Sequence, residues 1–220
     1  MISEFAIVFN LASRPARVLI LVALLVAIFA PVSIPYRILV LAAAAAGLIY
    51  AETGGLAALG LRRRRWRDTA GWAVLLAISS ILIGEFVQPA IAQLLGTPID
   101  YSAYGALAGN ADAATRLLIF ALTSAAIGEE IVFRGFLVRQ LTELLGERAW
   151  RSPLVVAISA LVFGAAHGPQ GSVGIITTGI VGALYAAAYL RNGRNLWALM
   201  LAHACTDSYG IAMLYFGRYA

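Results

Sequence analysis

Seven long apolar stretches, separated by short polar segments, fill most of this 220-residue sequence. Of all residues, 61% are hydrophobic and only 12% are charged, and the mean hydropathy is +0.86. A water-soluble chain of this length has too little interior to bury that much apolar surface. In lipid, helices satisfy their own backbone hydrogen bonds, and most of the stretches approach the roughly 20 residues that one crossing requires. The sequence therefore predicts an all-α, polytopic transmembrane bundle of about seven spans, at residues 18–34, 36–51, 69–95, 114–137, 153–167, 173–190 and 196–216.

The arginines predict how the chain is oriented, because the sequence contains no lysine. They cluster before the first stretch and in every second loop after it, whereas only Arg37, Arg116 and Arg218 fall on the other side of a seven-span chain. Cytoplasmic loops carry such an excess of basic residues. We therefore expect a cytoplasmic N-terminus and an outer C-terminus. The alanine-rich, arginine-only composition further favours a bacterial cytoplasmic membrane.

Charge and cysteine content exclude other classes of protein. The formal net charge of +5 comes from short loops between apolar runs, so we expect the lipid bilayer and not a nucleic acid as the main surrounding of the chain. Cys205 is the single cysteine, so it cannot form an internal disulfide, and we expect it to be a small packing residue. We find no internal repeat and no soluble domain. Residues 1–220 are therefore expected to form one integral membrane domain.

Ionisable residues inside apolar stretches are the strongest functional signal, because a charge at the centre of a span costs about 2.5–3.5 kcal/mol. In the fourth stretch, Glu130 and Arg134 are four residues apart and should form an ion pair. Glu129 is rotated about 140° from Arg134 on an α-helix, so it should stay free to accept a proton. The alternative is an Arg–Glu clamp that only joins helices. The complete set is Glu85, Glu129, Glu130, Arg134, His167, His203 and Asp207.

Two of the later apolar stretches each contain or end with a histidine. Phe163 and His167 share one helix face just before Gly168-Pro169, where a loop could turn inward. His203 and Asp207 also share a face at the i, i+4 spacing. The alternative is structural. His167 would then be an interfacial residue, and His203 and Asp207 would only satisfy each other's hydrogen bonds. Glu85 is alone in the third stretch, and we expect a structural pairing with Arg116.

Together these residues suit the activation of water and its attack on a carbonyl group. Glu129 would accept a proton from water, while His167 or His203 would orient that water, polarise the carbonyl or protonate the leaving amine. The same histidines and a carboxylate, Glu129 or Asp207, could instead hold Zn²⁺. Spacing alone does not separate the two routes. The sequence has no HExxH motif and no GxSG motif, which weakens the case for metalloproteases of the HExxH type and for serine-dependent intramembrane proteases.

Three segments carry a family resemblance. GEEIVFRGFL (residues 128–137), SALVFGAAH (159–167) and LWALMLAHACTD (196–207) resemble the EExxxR, FxxxH and Hxxx(N/D) motifs of the CAAX-protease and bacteriocin-processing (CPBP, also called Abi) family of intramembrane proteases. The resemblance covers residues 114–216, which are expected to form the catalytic core helices. Residues 1–113 match no motif and are expected to form accessory transmembrane helices.

The resemblance implies a role for each matching residue. Glu129 corresponds to the family's catalytic glutamate, Glu130 and Arg134 to its supporting acid and base, and His167 and His203 to its essential histidines. Asp207 stands where many members have Asn. An ionised Asp only accepts hydrogen bonds, so Asp207 fits an orienter of His203 or a metal ligand better than an oxyanion donor.

The resemblance also implies an endopeptidase whose substrate is the membrane-associated tail of a protein or peptide. The family is usually described as metalloproteases, and a metal-free route through the glutamate has also been argued for it, so both Zn²⁺ and metal-free catalysis stay open. Two readings from other classes stay open as well. One is a proton-coupled transporter, in which buried acids and histidines relay protons, and the other is a non-catalytic immunity or scaffold protein.

Overall fold

The computed structural model describes residues 10–31 and 36–219, and all regular structure in these ranges is helical. Each apolar stretch corresponds to one helix, so the all-α prediction is confirmed. The predicted end of the first stretch, residues 32–34, lies outside the described residues. The seven helices of the described ranges are α1 (Arg14–Phe29), α2 (Arg37–Thr53), α3 (Trp66–Leu95), α4 (residues 111–145), α5 (Arg151–Ala166), α6 (Gly171–Arg191) and α7 (Leu196–Tyr215).

Local sequence accounts for several helix ends. The Ser13 hydroxyl accepts a hydrogen bond from the Ala16 amide at the start of α1, where a proline also occupies the first turn. Asn110 caps α4 in the same way, accepting from the Ala113 amide. Helix α2 ends at Gly54, whose left-handed φ of 74° closes the last turn.

The prediction of seven membrane spans is not confirmed. In the described residues two helices are long and apolar enough to cross a membrane, α3 and the helical segment Gly168–Arg191 that contains α6. Helices α1 and α2 have 16 and 17 residues, fewer than the roughly 20 of a typical span. Helices α4 and α7 carry the acids and histidines of the motifs, which lowers their apolar character.

The outer surface of the bundle is nevertheless strongly apolar. On α3, Val74, Leu75 and Ile78 are each more than half exposed. On α1, Leu19 and Val26 are 59% and 64% exposed. Soluble monomers rarely expose contiguous apolar faces of this kind. These faces and the apolar helices indicate a membrane protein.

The loops that share the excess of arginine meet at one end of the bundle. Glu52 at the end of α2 lies 2.5 Å from an Arg17 nitrogen of α1 and 2.7 Å from an Arg139 nitrogen of α4. Arg64 donates a hydrogen bond to the Gly193 carbonyl, which joins the α2–α3 loop to the α6–α7 loop. We call this end, with loops 54–65, 146–150 and 192–195, the arginine-rich end. Its assignment to the cytoplasm remains a prediction.

Helices α5 and α6 approach each other closely through glycines. A Cβ atom on Gly164 would lie 2.6 Å from the Ile175 carbonyl oxygen and 3.1 Å from the Gly179 Cα. A Cβ atom on Gly182 would lie 3.1 Å from the Phe163 ring. Small residues at such interfaces let helix backbones pack directly. The glycines therefore fix the height and rotation of the helix that carries Phe163 and, one turn later, His167.

Helix α4 is widened over a segment that contains the first motif. Between Ala121 and Val138 its backbone hydrogen bonds follow the i to i+5 pattern of a π-helix, and a shorter π segment in α3, Ile83–Val87, contains Glu85. Widened turns of this type are uncommon and are frequently found at functional sites. Glu129, Glu130 and Arg134 all lie within the widened segment of α4.

Candidate active site

The ion pair predicted from the first motif is present and fully buried. Arg134 Nη1 lies 2.9 Å from Glu130 Oε1, and neither side chain is exposed. The guanidinium carbon of Arg134 also lies 4.0 Å from the centre of the Phe163 ring and 5.2 Å from that of Tyr185. Aromatic faces attract a guanidinium most strongly where water is absent. Arg134 thus connects the first motif to Phe163 of the second.

His203 joins α7 to the same acid. Its Nδ1 atom lies 2.8 Å from Glu130 Oε1, and its Nε2 atom lies 3.5 Å from Asp207 Oδ2. The second contact is the predicted i, i+4 pair, and the first joins two helices. Carboxylate oxygens only accept hydrogen bonds, so His203 can donate to both acids only when its ring carries the second proton.

His167 stands at the end of α5, where its ring lies 4.6 Å from the Phe163 ring. Its Nδ1 atom lies 2.8 Å from the Phe163 carbonyl oxygen. Since a carbonyl oxygen only accepts, Nδ1 must donate, and the Nε2 atom of the neutral ring then carries the lone pair. The FxxxH spacing thus positions the imidazole through both its ring contact and its hydrogen bond.

Glu129 differs from its neighbour Glu130. Only Glu130 forms an ion pair with Arg134, although the Oε2 atoms of both glutamates are buried without a hydrogen-bond partner among the described residues. A buried carboxylate oxygen without a partner is costly and suggests a missing water or ligand. Arg134 contacts Glu130 as the spacing predicts, while the role of Glu129 as a proton acceptor stays a prediction.

A cavity of about 780 Å³ brings the predicted residues together. Glu129, His167, His203 and Asp207 all line it, whereas Glu130 and Arg134 lie behind the wall and support the lining residues. We call this cavity the chamber. Residues 168–170, which follow His167, also line it, as expected for a loop that turns inward.

Two expectations outside the motifs were wrong. Glu85 accepts hydrogen bonds from the hydroxyls of Tyr209, at 3.0 Å, and of Tyr219, so tyrosines of the C-terminal segment take the place expected for Arg116. Cys205 is exposed on α7 and does not pack inside the bundle. The helical rotation that separates it from His203 turns it to the outer surface.

Sequence reasoning missed several residues that build the chamber and the bundle. Gln170 donates a hydrogen bond to the Tyr104 hydroxyl at 2.8 Å, and both residues line the chamber. Glu52 pairs with two arginines far away in sequence. A polar side chain at the edge of an apolar stretch was the available signal for Gln170 and Glu52, whereas nothing in the spacing marks Tyr104.

The donor set does not assemble as a metal site in this structure. Among residues 10–31 and 36–219, no group of three or more His, Cys, Asp or Glu side chains could hold a metal ion. Both nitrogens of His203 already face protein carboxylates. Binding of Zn²⁺ through His167, His203 and Glu129 or Asp207 therefore stays a prediction, and no catalytic step below passes through a metal.

The helical fold and the family comparison support a membrane protease of the CAAX type in general terms. Residues 111–209 match the model of the Rce1-like family, described as type II CAAX prenyl endopeptidase Rce1-like, so this segment of the chain is similar to that family. The match covers all three motifs and confirms the resemblance seen in the sequence. Searches of curated proteins and of solved structures each found no match.

Proposed function

We propose that this protein is an intramembrane endopeptidase that hydrolyses a peptide bond in or near the membrane-associated tail of a protein or peptide. The observation that carries the proposal is the placement of Glu129, with its unpartnered buried oxygen, in one chamber with His167 and His203. The family match supports a CAAX-type protease in general. The reaction and the residues that carry it are part of the proposal.

In the proposed reaction, Glu129 takes a proton from a water molecule, and the water oxygen forms a bond to the carbonyl carbon of the substrate. His167 Nε2, left with its lone pair, accepts a hydrogen bond from that water and orients it. The C–N bond then breaks, and Glu129 returns the proton to the leaving amine. All atoms of the water end in the two products.

His203 has the complementary role in this proposal. With both nitrogens protonated, it polarises the substrate carbonyl through Nε2, while Glu130 on the other side holds the ring in place. Asp207, 3.5 Å from Nε2, orients the ring until substrate enters. Arg134 touches no substrate and acts as a positioning residue, because it holds Glu130 through the buried ion pair.

The size of the chamber restricts the substrate. A cavity of about 780 Å³ falls within the range of small-molecule sites, so it accommodates a short unwound segment and not a whole transmembrane helix of about 20 residues. We therefore propose that the bond is cut where a tail has left its helical conformation. We place the enzyme in the cytoplasmic membrane of a bacterium with its N-terminus in the cytoplasm.

The test is cleavage of candidate tail peptides by purified protein in liposomes. Glu129→Gln should lower the rate by about 10²–10⁴-fold, the usual contribution of a general base. Glu143→Gln, which removes an exposed acid from the same helix, is the matched control and should cleave normally. Equal cleavage by wild type and Glu129→Gln would rule out the assigned base.

The same variants separate the two other classes of function. A proton-coupled transporter would show solute flux that changes in Glu129→Gln without any cleavage. A scaffold protein would bind its partner equally well with and without the Glu129 carboxylate. A thermal unfolding measurement on each variant confirms that the loss of cleavage is not a loss of fold.

A further inference from the structure

The residues that line the chamber all come from one half of the bundle. Helix α7 starts at the arginine-rich end with Leu196, yet its lining residues begin at His203. Helix α5 also starts there, with Arg151, and contributes only its last residues and His167. Helices α2 and α4 end there and contribute residues from the far half, such as Arg37 and Glu129. No described lining residue belongs to the loops of the arginine-rich end.

The opposite half of the bundle is closed by packed side chains. Phe136, Tyr189, Leu196 and Leu199 are each at most 1% exposed and fill the space between the motif residues and the arginine-rich end. The Tyr189 hydroxyl donates a hydrogen bond to the Leu59 carbonyl at 3.0 Å and so joins these packed side chains to the α2–α3 loop. Water and substrate therefore reach Glu129 from the other side.

Aromatic residues mark the two ends differently. The rings of Tyr101 and Tyr219 stack at 5.3 Å beside the chamber, and Tyr104 lines it as well. At the arginine-rich end, Trp66 and Trp150 lie next to Arg67 and Arg148 respectively. Tyrosine and tryptophan concentrate at the two membrane–water interfaces. The tyrosines thus place the mouth of the chamber at the interface opposite the arginine-rich end.

We propose that the chamber opens to the outer side of the membrane, so that the enzyme cuts polypeptides whose tails have been translocated and excludes tails that remain in the cytoplasm. The direction of opening follows from the lining residues and from the excess of arginine at the closed end, since basic loops stay in the cytoplasm. The substrate class rests in addition on the proposed peptidase function. It consists of exported or membrane-inserted chains with an unwound segment at the outer interface.

The direction of opening is tested by thiol labelling in spheroplasts, which does not depend on catalysis. Cys205→Ala gives a cysteine-free background, into which Ala103→Cys at the mouth, Ala125→Cys inside the chamber and Arg63→Cys at the arginine-rich end are introduced one at a time. A small membrane-impermeant thiol reagent should modify the first two variants in intact spheroplasts. It should modify Arg63→Cys only after permeabilisation. Modification of Arg63→Cys from outside, or of the first two only from inside, would overturn the proposal.

Cleavage gives the second readout. A bulky maleimide on Ala103→Cys should abolish most cleavage of an added tail peptide, whereas the same label on Arg63→Cys should leave the rate within about twofold of the unlabelled protein, as expected for a surface site remote from the chemistry. Unchanged cleavage after full labelling at position 103 would show that substrate enters elsewhere. If unlabelled protein cleaves no peptide, the peptidase proposal fails, while the labelling result still decides the direction of opening.

Discussion

The guanidinium group of Arg134 lies 4.0 Å from the centre of the Phe163 ring, and Phe163 in turn binds His167 through its carbonyl oxygen. This contact gives the Phe of the second motif a physical function. It covers a buried cation on α4 and at the same time positions an imidazole on α5. A smaller residue at 163 would remove the ring that contacts Arg134 and His167, whereas the backbone hydrogen bond to His167 would remain.

We expect Arg134→Met to destabilise the protein strongly. The substitution removes the cation from a fully buried pair and leaves Glu130 with the His203 ring as its only described partner, and breaking such a pair typically costs about 3–5 kcal/mol. Thermal unfolding in detergent measures the effect. Arg116→Met, at an exposed position of the same helix, should change stability by less than about 0.5 kcal/mol. The double variant Glu130→Gln/Arg134→Met should recover part of the loss, and a fully additive loss would contradict a direct pairing.

Substitutions at Asp207 test whether this carboxylate orients His203. Asn keeps an oxygen that can accept from His203 Nε2, so Asp207→Asn should retain cleavage within about tenfold, whereas Asp207→Ala should lose about 10–100-fold, as orienting partners of histidine usually do. Rates with a tail peptide, corrected for the fraction of folded protein, provide the measurement. Full activity of the Ala variant would show that the contact is dispensable.

Gly164→Ala should disturb the junction of α5 and α6. The new Cβ atom would lie 2.6 Å from a backbone oxygen, so the helices must separate, at a cost of about 1–3 kcal/mol. Because Phe163 and His167 move with α5, the cleavage rate should fall together with the unfolding temperature. Gly47→Ala is the matched control, since nothing lies within 4 Å of its Cβ position. A change at 164 as mild as that at 47 would mean that α5 and α6 are not so tightly packed.

Metal analysis tests the cofactor directly. Both nitrogens of His203 face carboxylates, so we expect purified protein to contain well below one zinc ion per chain and a chelator to leave cleavage unchanged. Elemental analysis of wild type and of a His167→Ala/His203→Ala variant provides the measurement. About one zinc per chain in the wild type, absent from the double variant, would instead support the zinc route that the sequence left open.

Pairs within a single helix could be predicted from the sequence, and pairs between helices could not. Glu130–Arg134 and His203–Asp207 follow from the i, i+4 spacing, and both are present. The Glu130–His203 hydrogen bond joins α4 to α7, and its geometry depends on how all the intervening helices pack. Periodicity along one helix carries no information about that packing.

The same distinction explains the errors at the edges of the site. Arg116 was the expected partner of Glu85 because it lies near the outer start of the next stretch, whereas Tyr209 and Tyr219 contact Glu85 in space. Hydropathy located every helix of the described ranges. The seven predicted membrane spans are not confirmed, because an apolar stretch of 16 or 17 residues is long enough to form a helix and still short for the bilayer.

Glu52 has a consequence for how the molecule can be divided. Its carboxylate binds Arg17 of α1 and Arg139 of α4, so the helices without motifs neutralise a largely buried cation of the helix that carries the first motif. A fragment that starts at α4 would retain every motif, but its Arg139 would lose the Glu52 counter-ion. We therefore expect the segment that carries the motifs to depend on the first two helices for its stability.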